Sequence, residues 1–249
     1  MIAIPAWPPR SLQRLFIAAP LDAGDWVSVE GGQAHYLANV MRMGKGDRVL
    51  LFNGVSGESL AEVVEAGRKR VTLVVGQQTR AQEAVPDLAL AFAPIKKGRV
   101  DWLVEKAVEL GVERLQPVVT QRTIVDKLNM ERMRSHIVEA AEQCGRTSVA
   151  AIDEPVKLDV FLRGLDGSRA LYFADESGGE LAASAAFAPG PATLLTGPEG
   201  GFTPDEAQAI RAAPHATAIS LGPRILRAET AALAGIAAWM AAVGDWNRR

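Results

Sequence analysis

Two folded parts are predicted by this sequence: an α/β domain with a parallel sheet, and before it a small β-barrel carrying one helix. Three observations lead there. Residues 1–75 are rich in strand-like runs. At 77–87 the chain reads QQTRAQEAVPD, which is polar, holds one proline and has no apolar period. Beyond that stretch, apolar runs of strand length alternate with helical stripes, the pattern of a parallel sheet covered by helices on both faces. The boundary is therefore set at 78/79, giving domains 1–78 and 79–249. The 249 residues suit one large domain or two smaller ones. A chain with 48% hydrophobic and 22% charged residues is globular rather than disordered.

In the first part, 48–54 is a strand that ends in Asn53-Gly54, a hairpin signal. Residues 59–66 and 70–76 supply two more strands, with Gly67 turning the chain between them. Residues 35–44 have helical spacing at Leu37, Val40 and Met41, and Gly44 is the expected C-cap. In the second part, strands are expected at 87–94, 115–123, 169–175, 192–197 and 215–222. Helices are expected at 96–111, 130–145, 203–213 and 227–244. The last helix is dense in small residues: Ala231, Ala232, Ala234, Gly235, Ala237, Ala238, Ala241 and Ala242. Such a helix packs tightly, either against its own core or against a partner subunit.

Charge and composition exclude several functions. The formal net charge is −2, which excludes a strongly basic nucleic-acid clamp but leaves room for a local basic face. Segment 1–80 carries +2, 81–93 carries −2, 94–148 carries +2 and 149–249 carries −4. A single cysteine, Cys144, excludes an intramolecular disulfide and a cysteine zinc finger; three scattered histidines argue against a structural metal site. No stretch reaches the ~18 apolar residues of a membrane span. Pro5, Pro8 and Pro9 stand where a signal peptide would have its apolar core, so a soluble cytoplasmic protein is expected. The dinucleotide fingerprint G-x-G-x-x-G, the P-loop and the G-x-S-x-G elbow are all absent.

Two strand–loop–helix junctions carry the functional signal. In 194–210, a buried strand runs into Gly197-Pro198-Glu199-Gly200-Gly201 and then a helix with Thr203 as N-cap, Pro204 in the first turn and Glu206 closing a capping box. Loops of this kind lie at the carboxyl edge of a parallel sheet, where α/β folds bind ligands. A glycine-rich structural turn is the alternative, although Glu199 has little packing value in one. In 219–235 the plan repeats with Gly222-Pro223 and a loop holding Arg224, Ile225, Leu226, Arg227, Glu229 and Thr230. The aliphatic pair could sandwich an adenine. The alternative is that Ile225 and Leu226 plug the core while Arg227 and Glu229 form a surface pair.

The segments TGPEGGFTPDE (196–206) and LGPRILRAETA (221–231) resemble the late motifs of SPOUT methyltransferases, and in particular those of the RsmE family. HYLANVMRMGKGDRVLLFNG (35–54), KKGRVDWLVEKAVELGVERLQPVVTQRT (96–123) and AAEQCGR (140–146) extend the resemblance over most of the chain in the family's order. The resemblance implies an N-terminal PUA-like RNA-binding barrel and a SPOUT α/β domain with a deep trefoil knot. It also implies a homodimer whose active sites use both subunits, and S-adenosylmethionine as methyl donor. The reaction implied is methylation of N3 of a uridine (uridine 1498) in 16S rRNA of the small ribosomal subunit, a step of rRNA processing in ribosome biogenesis. Three other readings are weighed against it. One is a non-catalytic PUA-like RNA binder, one a SPOUT enzyme acting on another RNA or on a ribose 2′-hydroxyl, and one an unrelated nucleotide-binding enzyme.

By similarity, Leu195, Thr196, Gly197 and Gly201 at the first junction and Leu221, Gly222, Ile225, Leu226 and Arg227 at the second bind the donor. Glu199, Gly200 and Thr230 complete that set. Methylating uridine N3 requires loss of the imino proton and stabilisation of charge on the carbonyl oxygens. Arg227 is the candidate cation for that charge, with Arg224 second. Glu199 or Glu229 is the candidate base, and the choice stays open. Cys144 is assigned to packing and no metal is expected. For RNA, the candidates are Arg42 and Lys45 in the barrel, with Arg48 and Arg68–Arg70 nearby, Lys96, Lys97 and Arg99 at a helix start, and Arg122 and Arg146. A positive cluster at a helix start opposes the macrodipole, and phosphate contact would explain it.

Overall fold

The computed structural model describes residues 12–125, 127–175 and 181–247; the proline pattern at Pro5, Pro8 and Pro9 lies outside them. The chain forms two compact units. The first is Met1–Ala84 with Ala141–Val149, and the second is Val85–Ala140 with Ala150–Arg249.

Five strands build the first unit: β1 (Arg14–Phe16), β2 (Trp26–Glu30), β3 (Arg48–Phe52), β4 (Glu58–Ala66) and β5 (Arg70–Arg80). They lie in the order β1-β3-β4-β5-β2, antiparallel except for the β1–β3 pair. Strand alternation puts Val27, Val29, Val49, Leu51, Val63 and Leu73 into one core. Register shifts along β4 mark bulges, which bend a strand and raise its twist. The turn after β3 is an Asx turn, with Asn53 Oδ1 accepting from the N–H groups of Val55 and Ser56. The helical stretch begins earlier than its apolar spacing suggests, as α1 (Gly31–His35), and continues as a π-helical turn over Tyr36–Val40. Its stop is not at Gly44. Arg42 takes the left-handed conformation, φ +55°, and Met43 N–H closes the turn on Leu37 C=O.

Residues 141–149 join this unit through a polar cluster. Arg14 donates through Nε to Glu58, through Nη1 to the carbonyls of Ala141 and Glu142, and through Nη2 to the carbonyl of Arg146. Arg80 donates to Glu58 and to Gly145 C=O. Glu83 accepts from the N–H groups of Thr147 and Ser148. The second piece is therefore held by donors and acceptors that become available only once the strands have formed.

The remaining elements are β6 (Leu88–Phe92), α2 (Arg99–Glu109), β7 (Arg114–Val119), α3 (Met130–Cys144, whose last residues from Ala141 belong to the first unit), β8 (Ala151–Ile152), β9 (Val156–Lys157), α4 (Leu158–Arg163), β10 (Ala170–Ala174), β11 (Leu181–Ala182), α5 (Ala183–Ala186), β12 (Ala192–Thr196), α6 (Pro204–Arg211), β13 (Ala216–Ser220) and α7 (Ala228–Ala242); strand and helix alternate as expected, and β8, β9, α4, β11 and α5 are additions to the expected set. The sheet is parallel, in the order β11-β13-β10-β12-β6-β7-β8. Every residue of β6 and β12 is buried, as strands covered on both faces require. Strand β7 stops at Val119 rather than reaching residue 123, because Thr120 N–H turns to Thr123 Oγ1 and leaves the ladder. Helix α7 presses on β12 so closely that a Cβ at Gly235 would lie 2.5 Å from Leu194 Cδ2. Strands β12 and β13 flank β10, so both glycine junctions leave the carboxyl edge on either side of one central strand.

Candidate active site

The first junction is a tight turn that glycine makes possible. Gly201, at φ +67°, donates its N–H to Pro198 C=O at 2.9 Å. Thr203 caps α6 as expected: Glu206 N–H meets Thr203 Oγ1 at 3.3 Å, and Glu206 Oε2 accepts from Thr203 N–H at 2.9 Å. The second oxygen of Glu206 reaches outside its own element and accepts from Gln121 N–H at 2.7 Å. From the same loop, Arg122 Nη1 donates to Gly200 C=O at 2.7 Å and to Phe202 C=O at 3.3 Å. The turn after β7 and the glycine loop after β12 are thus fixed to each other by one carboxylate and one guanidinium.

At the second junction, Gly222 stands at φ +107° and Arg227 is the N-cap of α7. The side chain of Arg227 makes no cap bond and is exposed. Ile225 is 88% exposed, which removes it from the core. Leu226 and Leu221 are half-buried, and Thr230 and Arg224 are exposed. Leu195 and Thr196 are buried, and Thr196 C=O accepts from Ala93 N–H, so these two offer a ligand little beyond neighbouring backbone.

The carboxylates of the two junctions meet at one cation. Arg99, the first residue of α2, has Nη1 3.9 Å from Glu199 Oε1 and Nε 3.7 Å from Glu229 Oε1. Glu229 is buried in the first turn of α7, where the helix dipole favours a carboxylate. Its Oε2 has no hydrogen-bond partner among the described residues. The surface pairing of Arg227 with Glu229 is therefore not what forms; Arg99 is the cation within 4.0 Å.

One expected RNA contact, Arg146, is corrected by the structure. Arg146 is buried in the first unit, where Nε donates to Ser148 Oγ at 3.0 Å and lies 3.9 Å from Glu83. A guanidinium so enclosed is a structural part of that unit. Arg99 pairs at 3.7–3.9 Å with the two glutamates and keeps its side chain 41% exposed, so the expected contact there is left standing. Lys96 and Lys97, just before it, are exposed, as are Arg42 and Lys45 in the first unit. The helix start they precede is held by Asp101, which accepts from Gly98 N–H and from Arg132 Nη2 at 2.7 Å. A cavity of about 690 Å³ lies past the ends of β6 and β7, lined by Pro94, Val119, Leu128, Asn129, Met130 and Pro155; the glycine junctions do not line it. Among the described residues no group of three or more His, Cys, Asp or Glu side chains could hold a metal ion, and no helix is long and apolar enough to cross a membrane.

Sequence reasoning found both junctions, the cap and both glutamates. It missed the outward reach of Glu206 and the bridging of the glutamates by Arg99. Neither has a local signal, since Glu206 and Gln121 are 85 residues apart.

A family model described as an RNA methyltransferase domain matches residues 81–240, and one described as an RNA methyltransferase PUA domain matches residues 29–76. The ribosomal RNA small subunit methyltransferase E of Rickettsia conorii is 31% identical over 207 residues, covering 82% of this chain and 84% of that protein. The protein of the same name from Bacillus subtilis is 29% identical, covering 91% and 95%. The crystal structure of ribosomal RNA small subunit methyltransferase E from Neisseria gonorrhoeae, bound to S-adenosylmethionine, superposes with a TM-score of 0.87 at 27% identity, covering 95% of this chain and all of that one. The α/β fold with its preceding β unit, the two glycine junctions at the carboxyl edge and these matches lead to one conclusion: the chain belongs to the RsmE family and is an RNA methyltransferase that uses S-adenosylmethionine.

Proposed function

We propose that this enzyme methylates N3 of a uridine in 16S rRNA, at the position equivalent to uridine 1498, in the small ribosomal subunit. The observation that carries the reading is the pairing of two carboxyl-edge junctions, each with a positive-φ glycine and an acidic residue, on either side of β10. The residues fit the donor. Exposed backbone at Gly200 and Gly222 allows close approach, half-buried Leu221 and Leu226 with exposed Ile225 offer an apolar bed for an adenine, and Glu229 keeps a buried oxygen without a partner.

Bound S-adenosylmethionine supplies an electrophilic methyl group. The chain's own residues do the rest. The backbone of Leu195–Gly197, Glu199–Gly201 and Leu221–Gly222, with Ile225, Leu226 and Thr230, holds the donor. Arg227, exposed at the N-cap of α7, stabilises negative charge that develops on the uracil oxygens as N3 loses its proton. Glu199 or Glu229 accepts that proton. Lys96 and Lys97 meet the RNA backbone from the catalytic unit, and Arg42 and Lys45 do so from the PUA-like unit. Arg122 keeps the glycine loop in place while its exposed flank meets the RNA.

The enzyme acts in the cytoplasm as a homodimer with a trefoil-knotted catalytic domain. Supporting the dimer, Ala241 and Ala242 on α7, Ile225 and Trp102 are exposed. The PUA-like barrel is assigned to the first compact unit, which extends past the expected boundary at 78/79 to Ala84 and takes in Ala141–Val149, and the methyltransferase domain to the second. The test is transfer of a labelled methyl group from S-adenosylmethionine to small subunits that lack the modification, followed by digestion and mass spectrometry of the nucleosides. 3-Methyluridine is expected. A ribose-methylated product or a different base would reject the N3 assignment.

A further inference from the structure

Arg99, with its side chain 41% exposed, stands within ion-pair distance of two carboxylates. Its guanidinium lies 3.9 Å from Glu199 and 3.7 Å from Glu229, one carboxylate from each ligand junction. Among the described residues no other lysine, arginine or histidine comes within 4.0 Å of either one. The Glu229 side chain is nine-tenths buried, and one of its oxygens has no partner. Arg224 and Arg227 are exposed, and neither comes within 4.0 Å of these carboxylates. The bridged cluster therefore has two negative charges and one positive, a formal balance of −1.

That balance matters because the donor changes charge during the reaction. S-adenosylmethionine carries a sulfonium, and S-adenosylhomocysteine, formed when the methyl group leaves, is a neutral thioether. A site with a residual negative charge holds the cation better than the neutral product. Without Arg99 the two carboxylates would over-bind the cation and repel each other.

We propose that Arg99 is a positioning residue of the donor site. It ties the two junctions together through Glu199 and Glu229, and it sets how strongly the site prefers the cationic donor over the neutral product. The proposal rests on these junctions being the donor site.

The experiment is isothermal titration of the full-length enzyme with S-adenosylmethionine and, separately, with S-adenosylhomocysteine. The quantity read is the ratio of the two dissociation constants, product over donor. One unit charge acting over ~10 Å at an effective dielectric constant of ~40 changes such a ratio about fourfold. Arg99→Gln is expected to raise the ratio about fourfold and Arg99→Lys to leave it near the wild-type value. Glu229→Gln is expected to lower it, and the double variant Arg99→Gln with Glu229→Gln, which restores the −1 balance, to return it. A purely structural role for Arg99 would weaken both ligands alike and would make the double variant worse than either single one. A ratio within twofold of wild type in Arg99→Gln, or a double variant that does not return, overturns the proposal. Glu199 is the more exposed of the two carboxylates, so Glu199→Gln keeps the test open if a Glu229 variant does not fold; an unchanged ratio there also counts against it. If wild type binds neither ligand, the donor-site reading fails with it; if wild type binds both and only the ratios stay flat, this proposal alone fails.

Discussion

Replacing Glu206 tests whether the glycine loop is held by the turn after β7. The carboxylate accepts two backbone N–H groups from different loops, Gln121 at 2.7 Å and Thr203 at 2.9 Å. Hydrogen bonds to a charged group contribute roughly 1.5–3 kcal/mol each. Gln121 is exposed and water can replace part of its bond, so the lower figure applies. Glu206→Ala should then destabilise the fold by about 3 kcal/mol. Glu206→Gln keeps one acceptor and turns an amide donor toward the other N–H, which should cost about 1.5 kcal/mol. Urea unfolding measures both. Titration with S-adenosylmethionine then separates stability from site geometry. Glu206→Ala should lose donor affinity because residues 121–122 no longer fix the loop at 200–203. Thr203→Ala, which removes only the local cap, should bind the donor normally. Equal stability of the Gln and Ala variants, or unchanged donor affinity in Glu206→Ala, would refute the bridging role.

Other expectations concern catalysis, RNA and acid stability. Arg227→Ala should reduce methyl transfer roughly 10²–10³-fold, the usual loss of one charge-stabilising donor, while donor binding in titration stays near wild type; normal turnover would reject its role. Reversing Lys96 and Lys97 to glutamate should make the salt dependence of RNA binding shallower by about two units of log–log slope, and an unchanged slope would make the pair a mere solubility feature. Arg14→Ala should destabilise the first unit by about 3 kcal/mol, because three backbone carbonyls lose their donor while Glu58 keeps Arg80; a loss below about 1 kcal/mol in urea unfolding would contradict this. Burial pushes Glu58 upward, but hydrogen bonds from Arg80 and Arg14 outweigh it and hold the carboxyl below its usual 4.5. Its contribution is therefore present at neutral pH and lost as pH falls below that value, and Glu58→Gln should flatten the acid limb of a stability–pH curve. At the amino edge of the sheet, burial and the neighbouring Asp87 charge push Glu113 upward. Its ionisation opposes folding as pH rises, so Glu113→Gln should raise the melting temperature at pH 7 and gain nothing below about pH 4.

What could be read in the sequence was local. Thr203, Pro204 and Glu206 announce a helix start by their spacing alone, and the apolar runs at 88–92 and 192–196 announce strands buried on both faces. The stop of the first helix was misplaced because a positive φ at Arg42 is imposed by the turn onto Leu37, and an arginine gives no sign of it. The site was half legible. Its glycines and glutamates stand in two short segments, but the group that joins the glutamates comes from residue 99, and the groups that fix the glycine loop come from residues 121–122. Arg99 and Arg146 both read as candidate RNA contacts, since their carboxylate neighbours Glu199, Glu229 and Glu83 stand far from them along the chain.

The two-piece construction of the first unit has a consequence for how the chain is made. A ribosome delivers Arg14, Glu58, Arg80 and Glu83 long before it delivers the carbonyls and N–H groups at 141–148 that they bind. Until Val149 has emerged, only water can meet the donors and acceptors of Arg14, Arg80 and Glu83 that later bind residues 141–148, and everything from Val85 to Ala140 must be threaded out in between. The amino-terminal part therefore cannot finish folding as an autonomous module during synthesis. Its completion is timed by the middle of the other unit, so the two mature together, and a nascent chain released early carries an N-terminal unit that is incomplete as well as a missing catalytic one.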